Sequence, residues 1–264
     1  MPIEGYILDL DGTVYVGEKL VPGADRAIAE LRTRRRKVLF LSNKPLYARR
    51  DYAGKLTRLG IPTSEEDVIN SSFVLAQHLG REAPGARVFA VGEPPLLEEL
   101  RRVGLRLTED PAQIEYVIAA FDRTFDYRKL EIAFQALRRG AHFLATNPDR
   151  TCPVEGGEIP DAAAVIAALA ETTGRQVEDV FGKPSRYMVD VALAALRLPP
   201  ERCAMVGDRV ETDIRMAKEN GLVAILTLTG VTRRGDLARA SLQPDHVITG
   251  IGDLPRLDRE LNMR

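Results

Sequence analysis

An α/β fold is predicted for this chain: a doubly wound parallel-sheet (Rossmann-like) core with an inserted α/β domain. Short apolar, β-branched runs alternate with amphipathic stretches of helical period, which is the signature of βαβ units. Glycine and proline punctuate the joins. Two turn-rich interruptions, at 81–86 and 173–175, bracket a block that has its own strand–helix series. The expected organisation is a first core half over 1–83, the insert over 84–180 and a second core half over 181–264.

Strands are expected at 5–8, 37–41, 87–91, 116–120, 142–145, 203–206, 223–228 and 246–248. Helices are expected at 24–34, 48–59, 95–103, 127–138, 162–172, 186–196 and 211–220. Pro22-Gly23 opens the first helix, Gly60 closes 48–59 and Gly221 closes 211–220. Residues 203–206 form a run of the kind that is buried on both faces of a parallel sheet.

Composition narrows the function. The chain has 264 residues, 45% hydrophobic and 28% charged, which is globular rather than disordered. Lys and Arg number 37 against 38 Asp and Glu, for a formal net charge of -1. That balance gives nucleic acid or an anionic membrane no electrostatic hold. The longest purely apolar run, 162–170, has nine residues, against the ~20 that span a bilayer. Glu4 and Asp9 interrupt the N-terminal stretch where a signal peptide would be apolar. Two cysteines cannot build a disulfide framework or a four-thiolate zinc site. A cytoplasmic protein is expected.

Chemistry concentrates at strand ends. Asp9-Leu10-Asp11-Gly12-Thr13 follows the first strand, where ligands bind in parallel α/β sheets. A hairpin turn would leave one Asp without a purpose. An EF-hand loop counted from Asp9 would need Gly and Glu where Val14 and Leu20 stand. The second strand ends in Ser42-Asn43, Lys183-Pro184 opens a helix, and Gly207-Asp208 ends another strand with Asp213 five residues on. Separately these are a capping pair, a surface lysine and a turn. Together, acids, a hydroxyl and a lysine make a divalent-metal and phosphoryl site. Hard carboxylate oxygens suit Mg2+, and acids this close need a cation to stay ionised.

The ordered set Asp9-x-Asp11-Gly12-Thr13, Ser42-Asn43, Lys183-Pro184 and Gly207-Asp208-x4-Asp213 resembles the four motifs of the haloacid dehalogenase superfamily of phosphohydrolases. About thirty residues separate Asp9 from Ser42 and about 140 separate Ser42 from Lys183, as in the branch with an α/β cap. Val21-Pro22-Gly23-Ala24, Ala145-Thr146-Asn147-Pro148-Asp149 and Leu226-Thr227-Leu228-Thr229-Gly230-Val231 look like the same branch, which holds p-nitrophenyl, sugar-phosphate, phosphoglycolate and pyridoxal phosphatases. One departure is Lys44-Pro45, where many relatives carry Asn-Ser.

The resemblance implies a Mg2+-dependent phosphatase of small phosphorylated metabolites, sugar phosphates foremost, with p-nitrophenyl phosphate as an artificial substrate. It implies Asp9 as nucleophile and Asp11 as general acid and base. Metal would be held by Asp9, Asp11, Asp208 and Asp213, and the phosphoryl group by Gly12, Ser42, Asn43 and Lys183. Asn147 and Asp149, with Arg150-Thr151-Cys152, are implied as substrate-selecting residues. A homo-oligomer is left open. The alternatives are a phosphoglycolate or pyridoxal phosphate phosphatase, a phosphomutase, and a non-enzymatic phospho-accepting module.

Overall fold

The computed structural model describes residues 2–154 and 156–263. The chain divides into two compact units. The first comprises Met1–Ser42, Arg49–Ile69 and Lys183–Arg264; the second comprises Asn43–Ala48 and Asn70–Gly182.

The first unit is built on a six-stranded sheet in the order His246–Ile248, Val223–Thr227, Cys203–Gly207, Gly5–Asp9, Lys37–Ser42, Val68–Asn70. The pairings from His246–Ile248 across to Lys37–Ser42 are parallel. Gly5–Asp9 and Cys203–Gly207 are buried at every position, which explains why both read as unbroken apolar runs rather than alternating ones. Successive strands are laid down outward from Gly5–Asp9 on one side, and then outward from Cys203–Gly207 on the other. The direction of winding therefore reverses between these two strands, and a crevice opens beyond their carboxyl ends. Asp9 and Asp208 occupy those ends.

Helix Ala24–Thr33 buries Ala24, Ala27, Ile28 and Leu31. That i, i+3, i+4, i+7 stripe is the core face of an amphipathic helix, and it joins Tyr6, Leu8, Phe40, Val206 and Ile225 in one apolar cluster. The stretch expected as a single helix over 211–220 is instead two pieces, a π turn Val210–Ile214 and a short α-helix Arg215–Glu219. Its cause is local. The Arg209 amide donates to the Asp213 carboxylate (3.0 Å) and the Ile214 amide reaches back to the Arg209 carbonyl (3.2 Å), so the first turn is widened around Asp213.

The second unit carries a five-stranded sheet in the order Asp179–Val180, His142–Ala145, Tyr116–Ala119, Arg87–Val91, Arg106–Leu107, every pairing parallel. Its core gathers Val91, Val117, Phe143, Leu137 and Leu169. A separate antiparallel hairpin pairs Thr151–Val154 with Gly157–Pro160. Helix Ser71–Glu82, absent from the expected elements, begins with two serines and contains Gly80, which mask its period. Asn70 fixes its start by accepting from the Phe73 amide at 2.9 Å.

Glu93 and Arg123 extend from the carboxyl ends of neighbouring strands in this unit. The guanidinium donates twice to the carboxylate, at 2.7 Å each, and the Arg123 amide adds a third bond at 3.0 Å. Hydrogen bonds from the Arg123 side chain hold the Glu93 carboxyl below its ordinary pKa, outweighing the opposing effect of burial. A carboxyl depressed in the folded state stabilises above its unfolded pKa and loses that contribution as pH falls through and below it. Glu93→Gln is expected to cost about 1–2 kcal/mol at neutral pH. The difference in thermal midpoint from wild type should close below about pH 4. Midpoints followed by circular dichroism across pH 3–7 check this; a gap that does not change with pH would contradict it.

Candidate active site

Five of the residues singled out in the sequence, Asp9, Ser42, Lys183, Asp208 and Asp213, meet in the first unit, and all are buried. Asp9 ends the Gly5–Asp9 strand in register with Leu41, so Ser42 follows beside it on the neighbouring strand. Asp208 follows Gly207 at the end of the strand on the other side. The Ser42 hydroxyl lies 3.4 Å from that of Tyr52, a long contact for two hydroxyls.

Lys183 is the electrostatic hub. Its ammonium donates to Asp9 Oδ1 and to Asp213 Oδ1, the latter at 2.7 Å. Carboxylate oxygens of Asp9, Asp208 and Asp213 all lie within 4.8 Å of one another. One cation thus faces three buried carboxylates. Burial acts to lower the lysine pKa, but Asp213 and Asp9 overcome it and hold the ammonium charged. The acids pay for the imbalance. Burial raises the Asp9 pKa, Asp213 and Asp208 raise it further, and Lys183 offsets only part of the rise. Asp208 is raised by burial first and by Asp213 next, against the opposing pull of the Val231 amide, Arg209 and Lys183.

This donor set fits a small, hard divalent cation. Asp9, Asp208 and Asp213 each offer a carboxylate oxygen and are the residues that would hold such an ion. A second positive centre would also relieve the surplus negative charge that lifts Asp9 and Asp208.

Backbone without side chains makes the cluster possible. A Cβ on Gly12 would lie 2.6 Å from Asp208 Oδ2, one on Gly230 would collide with the same carboxylate, and one on Gly207 would collide with Asp213. Gly12 has φ +90, which glycine adopts without strain. Its own amide donates to the Tyr15 carbonyl (2.8 Å), while its carbonyl accepts from the Thr229 hydroxyl (2.6 Å). Gly12 therefore clears space and ties two loops together, and its own N–H is already engaged. Asp208 is held by the Val231 amide on Oδ2 (2.6 Å) and by the Thr232 amide on its carbonyl (3.1 Å). Asp11 lies half-buried in the same loop, bridged to Tyr15.

Thr229, Gly230 and Val231 emerge as part of the site only in three dimensions. Their signal was a Thr-Gly-Val sequence after a buried strand, and main-chain donors carry no residue-type signature.

Asn43, Asn147 and Asp149 come together in the second unit. Asn43 Nδ2 and Asn147 Nδ2 both donate to Asp149 Oδ2 at 2.8 Å. Asn147 Nδ2 also donates to Asp161 Oδ1 (2.9 Å), and its Oδ1 accepts from the Thr146 hydroxyl (2.8 Å). Asn147 is fully buried, and both ends of its amide are used within the loop.

The family is then plain. A family profile described as haloacid dehalogenase-like hydrolase matches residues 6–106, and a second HAD-hydrolase-like profile matches 180–254. Sugar-phosphatase AraL of Bacillus subtilis is 36% identical over 256 residues, 97% of this chain and 93% of the relative. The solved 4-nitrophenylphosphatase of Thermotoga maritima is 36% identical with a TM-score of 0.93, covering 96% of this chain and 97% of that one. The glycerol phosphate phosphatase of Mycobacterium tuberculosis, solved in complex with magnesium, is 32% identical with a TM-score of 0.90, covering 99% of this chain and 79% of that one. The chain belongs to the haloacid dehalogenase-like hydrolases. It is a phosphatase of that superfamily, a hydrolase of phosphoric monoesters. Among the described residues, no helix is long and apolar enough to cross a membrane.

The crowding around Asp208 can be tested directly. Gly230→Ala should displace a buried carboxylate and lower stability by about 1–3 kcal/mol. Gly235→Ala, where an added Cβ meets nothing within 4 Å, should stay within about 0.5 kcal/mol of wild type. Urea unfolding midpoints compare the two; equal effects would contradict the crowding argument.

Proposed function

We propose that this protein is a Mg2+-dependent phosphohydrolase of small phosphate monoesters, sugar phosphates foremost, that works through an aspartyl-phosphate. The reading rests above all on the meeting of Asp9, Asp208 and Asp213 around Lys183. The names of its relatives support the substrate class: a sugar phosphatase, a 4-nitrophenylphosphatase and a glycerol phosphate phosphatase.

Asp9 is the nucleophile. Its carboxylate oxygen forms the new bond to phosphorus while the bond from phosphorus to the ester oxygen breaks. Asp11 gives its proton to that departing oxygen. In the second half, Asp11 takes a proton from the attacking water as its oxygen bonds to phosphorus, and the bond to Asp9 breaks to release inorganic phosphate. Lys183 holds one oxygen of Asp9, which fixes the rotation of the carboxylate before attack. Ser42, the Asn43 amide and the Lys183 ammonium bind phosphoryl oxygens, where negative charge accumulates during transfer. Mg2+ would sit on the Asp9 and Asp208 carboxylates and the Asp11 carbonyl, with Asp213 in support, and would supply the charge neutralisation these acids and a phosphate require. Asp213 acts at one remove by orienting Lys183.

The insert over 84–180 is the part of the chain assigned to substrate choice. Asp149 and Arg150 are its selecting residues. Asn147, whose amide is committed to Asp149 and Asp161, contributes by fixing Asp149.

Steady-state assays with p-nitrophenyl phosphate and a panel of sugar phosphates test the reading. Wild type should release phosphate with Mg2+ and stop on chelation. Asp9→Asn should lose at least about 10^4-fold in kcat, and Asp213→Asn only about 10- to 100-fold. Activity that survives Asp9→Asn or chelation would overturn the assignment.

A further inference from the structure

Lys55 lies on the helix Arg49–Arg58 and reaches across to a small hairpin of the first unit. Its ammonium stands 3.9 Å from the centroid of the Tyr15 ring. It donates to the Gly17 carbonyl at 2.7 Å and pairs with Glu18 Oε1 at 3.0 Å. All three contacts fall on one hairpin, which pairs only Tyr15 with Leu20 and Val16 with Lys19. Tyr15 is also set in the apolar core, with Leu20 packed against it, and a hairpin of two pairs depends on such outside contacts to hold its shape. The Lys55 side chain is 19% exposed, with its stem laid against the protein and its ammonium over the face of the ring. Glu18, at 81% exposure, adds little.

The first residue of that hairpin is wired to Asp11. The Tyr15 carbonyl accepts from the Gly12 amide (2.8 Å), the Tyr15 amide donates to the Leu10 carbonyl (3.2 Å), and Asp11 and Tyr15 are joined by a β-bridge. The Tyr15 ring is fully buried beneath the ammonium. Asp11 is thus suspended between two fixed points, the end of the Gly5–Asp9 strand and the main chain of Tyr15.

We propose that Lys55 is a positioning residue for Asp11: by clamping the Tyr15 ring and the Gly17 carbonyl, it fixes the hairpin from which the Asp11–Gly12 main chain hangs. The inference rests on Asp11 being the general acid of the proposed reaction, and it places Lys55 outside the groups that touch the phosphoryl ester. A loosened hairpin lets Asp11 drift from the ester oxygen it protonates. The loss then scales with how much that oxygen needs the proton. A sugar alkoxide cannot leave unprotonated, whereas p-nitrophenolate can.

The experiment compares Lys55→Met, Lys55→Arg, Asp11→Asn and wild type on a hexose 6-phosphate and on p-nitrophenyl phosphate. It uses kcat/KM, which covers only the steps through cleavage of the ester bond. Lys55→Met should lose about tenfold or more on the sugar phosphate and less than about threefold on the aryl ester. Asp11→Asn should show the same asymmetry more strongly, and Lys55→Arg, which keeps the cation, should fall between Lys55→Met and wild type. Hydrogen exchange over residues 10–20 should quicken in Lys55→Met, a readout independent of turnover. A symmetric loss in Lys55→Met, no loss, or unchanged exchange overturns the assignment while the asymmetry of Asp11→Asn leaves the chemistry standing. A wild-type protein that hydrolyses neither ester removes both.

Discussion

One lysine is asked to balance three buried acids. Taking a carboxylate out of water is costly, and taking three into one crevice with a single ammonium leaves the balance unmet. The rest of the first unit can be read as the means of holding that arrangement against its own repulsion. Strands buried on both faces supply rigid mounts for Asp9 and Asp208. The Val231 and Arg209 amides supply main-chain donors to the Asp208 and Asp213 carboxylates. Glycines at 12, 207 and 230 remove the atoms that would otherwise stand in the way. A site poised in this way carries surplus negative charge that a bound cation would neutralise.

The topology explains why these residues and not others meet. Asp9 and Asp208 are far apart in sequence, yet they end adjacent strands at the point where the sheet reverses its direction of winding. Ser42 ends the strand on the other flank of Asp9. Lys183 opens the segment that returns from the second unit, immediately before helix Arg186–Leu196. The fold is thus a device for bringing four strand ends and helix starts to one place, with the chemistry added at single positions.

Much of this was legible in the sequence, and the reason differs from residue to residue. Asp9 and Asp208 could be read because a carboxylate at the end of an apolar strand has few structural uses, and Asp213 because it follows Asp208 at a fixed spacing. Lys183 could be read only as one of an ordered set, since alone it looks like surface. Helix Ser71–Glu82 was hidden by the serines at its start and by Gly80. The widened turn at Val210–Ile214 was hidden because its cause is a side chain folding back on its own backbone, which leaves the apolar spacing of a helix intact. The parts played by Val231 and Tyr15 were illegible for a deeper reason. Both act through main-chain groups, which every residue possesses, so only distance distinguishes them. Asn147 shows the converse, a polar residue whose loop motif suggested recognition and whose amide is consumed in building the loop.

The order of strands also governs when the chain can become a catalyst during its own synthesis. Gly5 takes Cys203 as its partner on one side, so the ribosome must add about 200 more residues before the central strand can be enclosed. At ordinary elongation rates that is roughly ten to forty seconds. The stretch Asn70–Gly182 is continuous and has its own apolar core, and it can settle while the N-terminal strands are still waiting. The nascent protein therefore spends most of its birth with Asp9 on an unfinished sheet, and its acids are gathered only when the last quarter of the chain arrives.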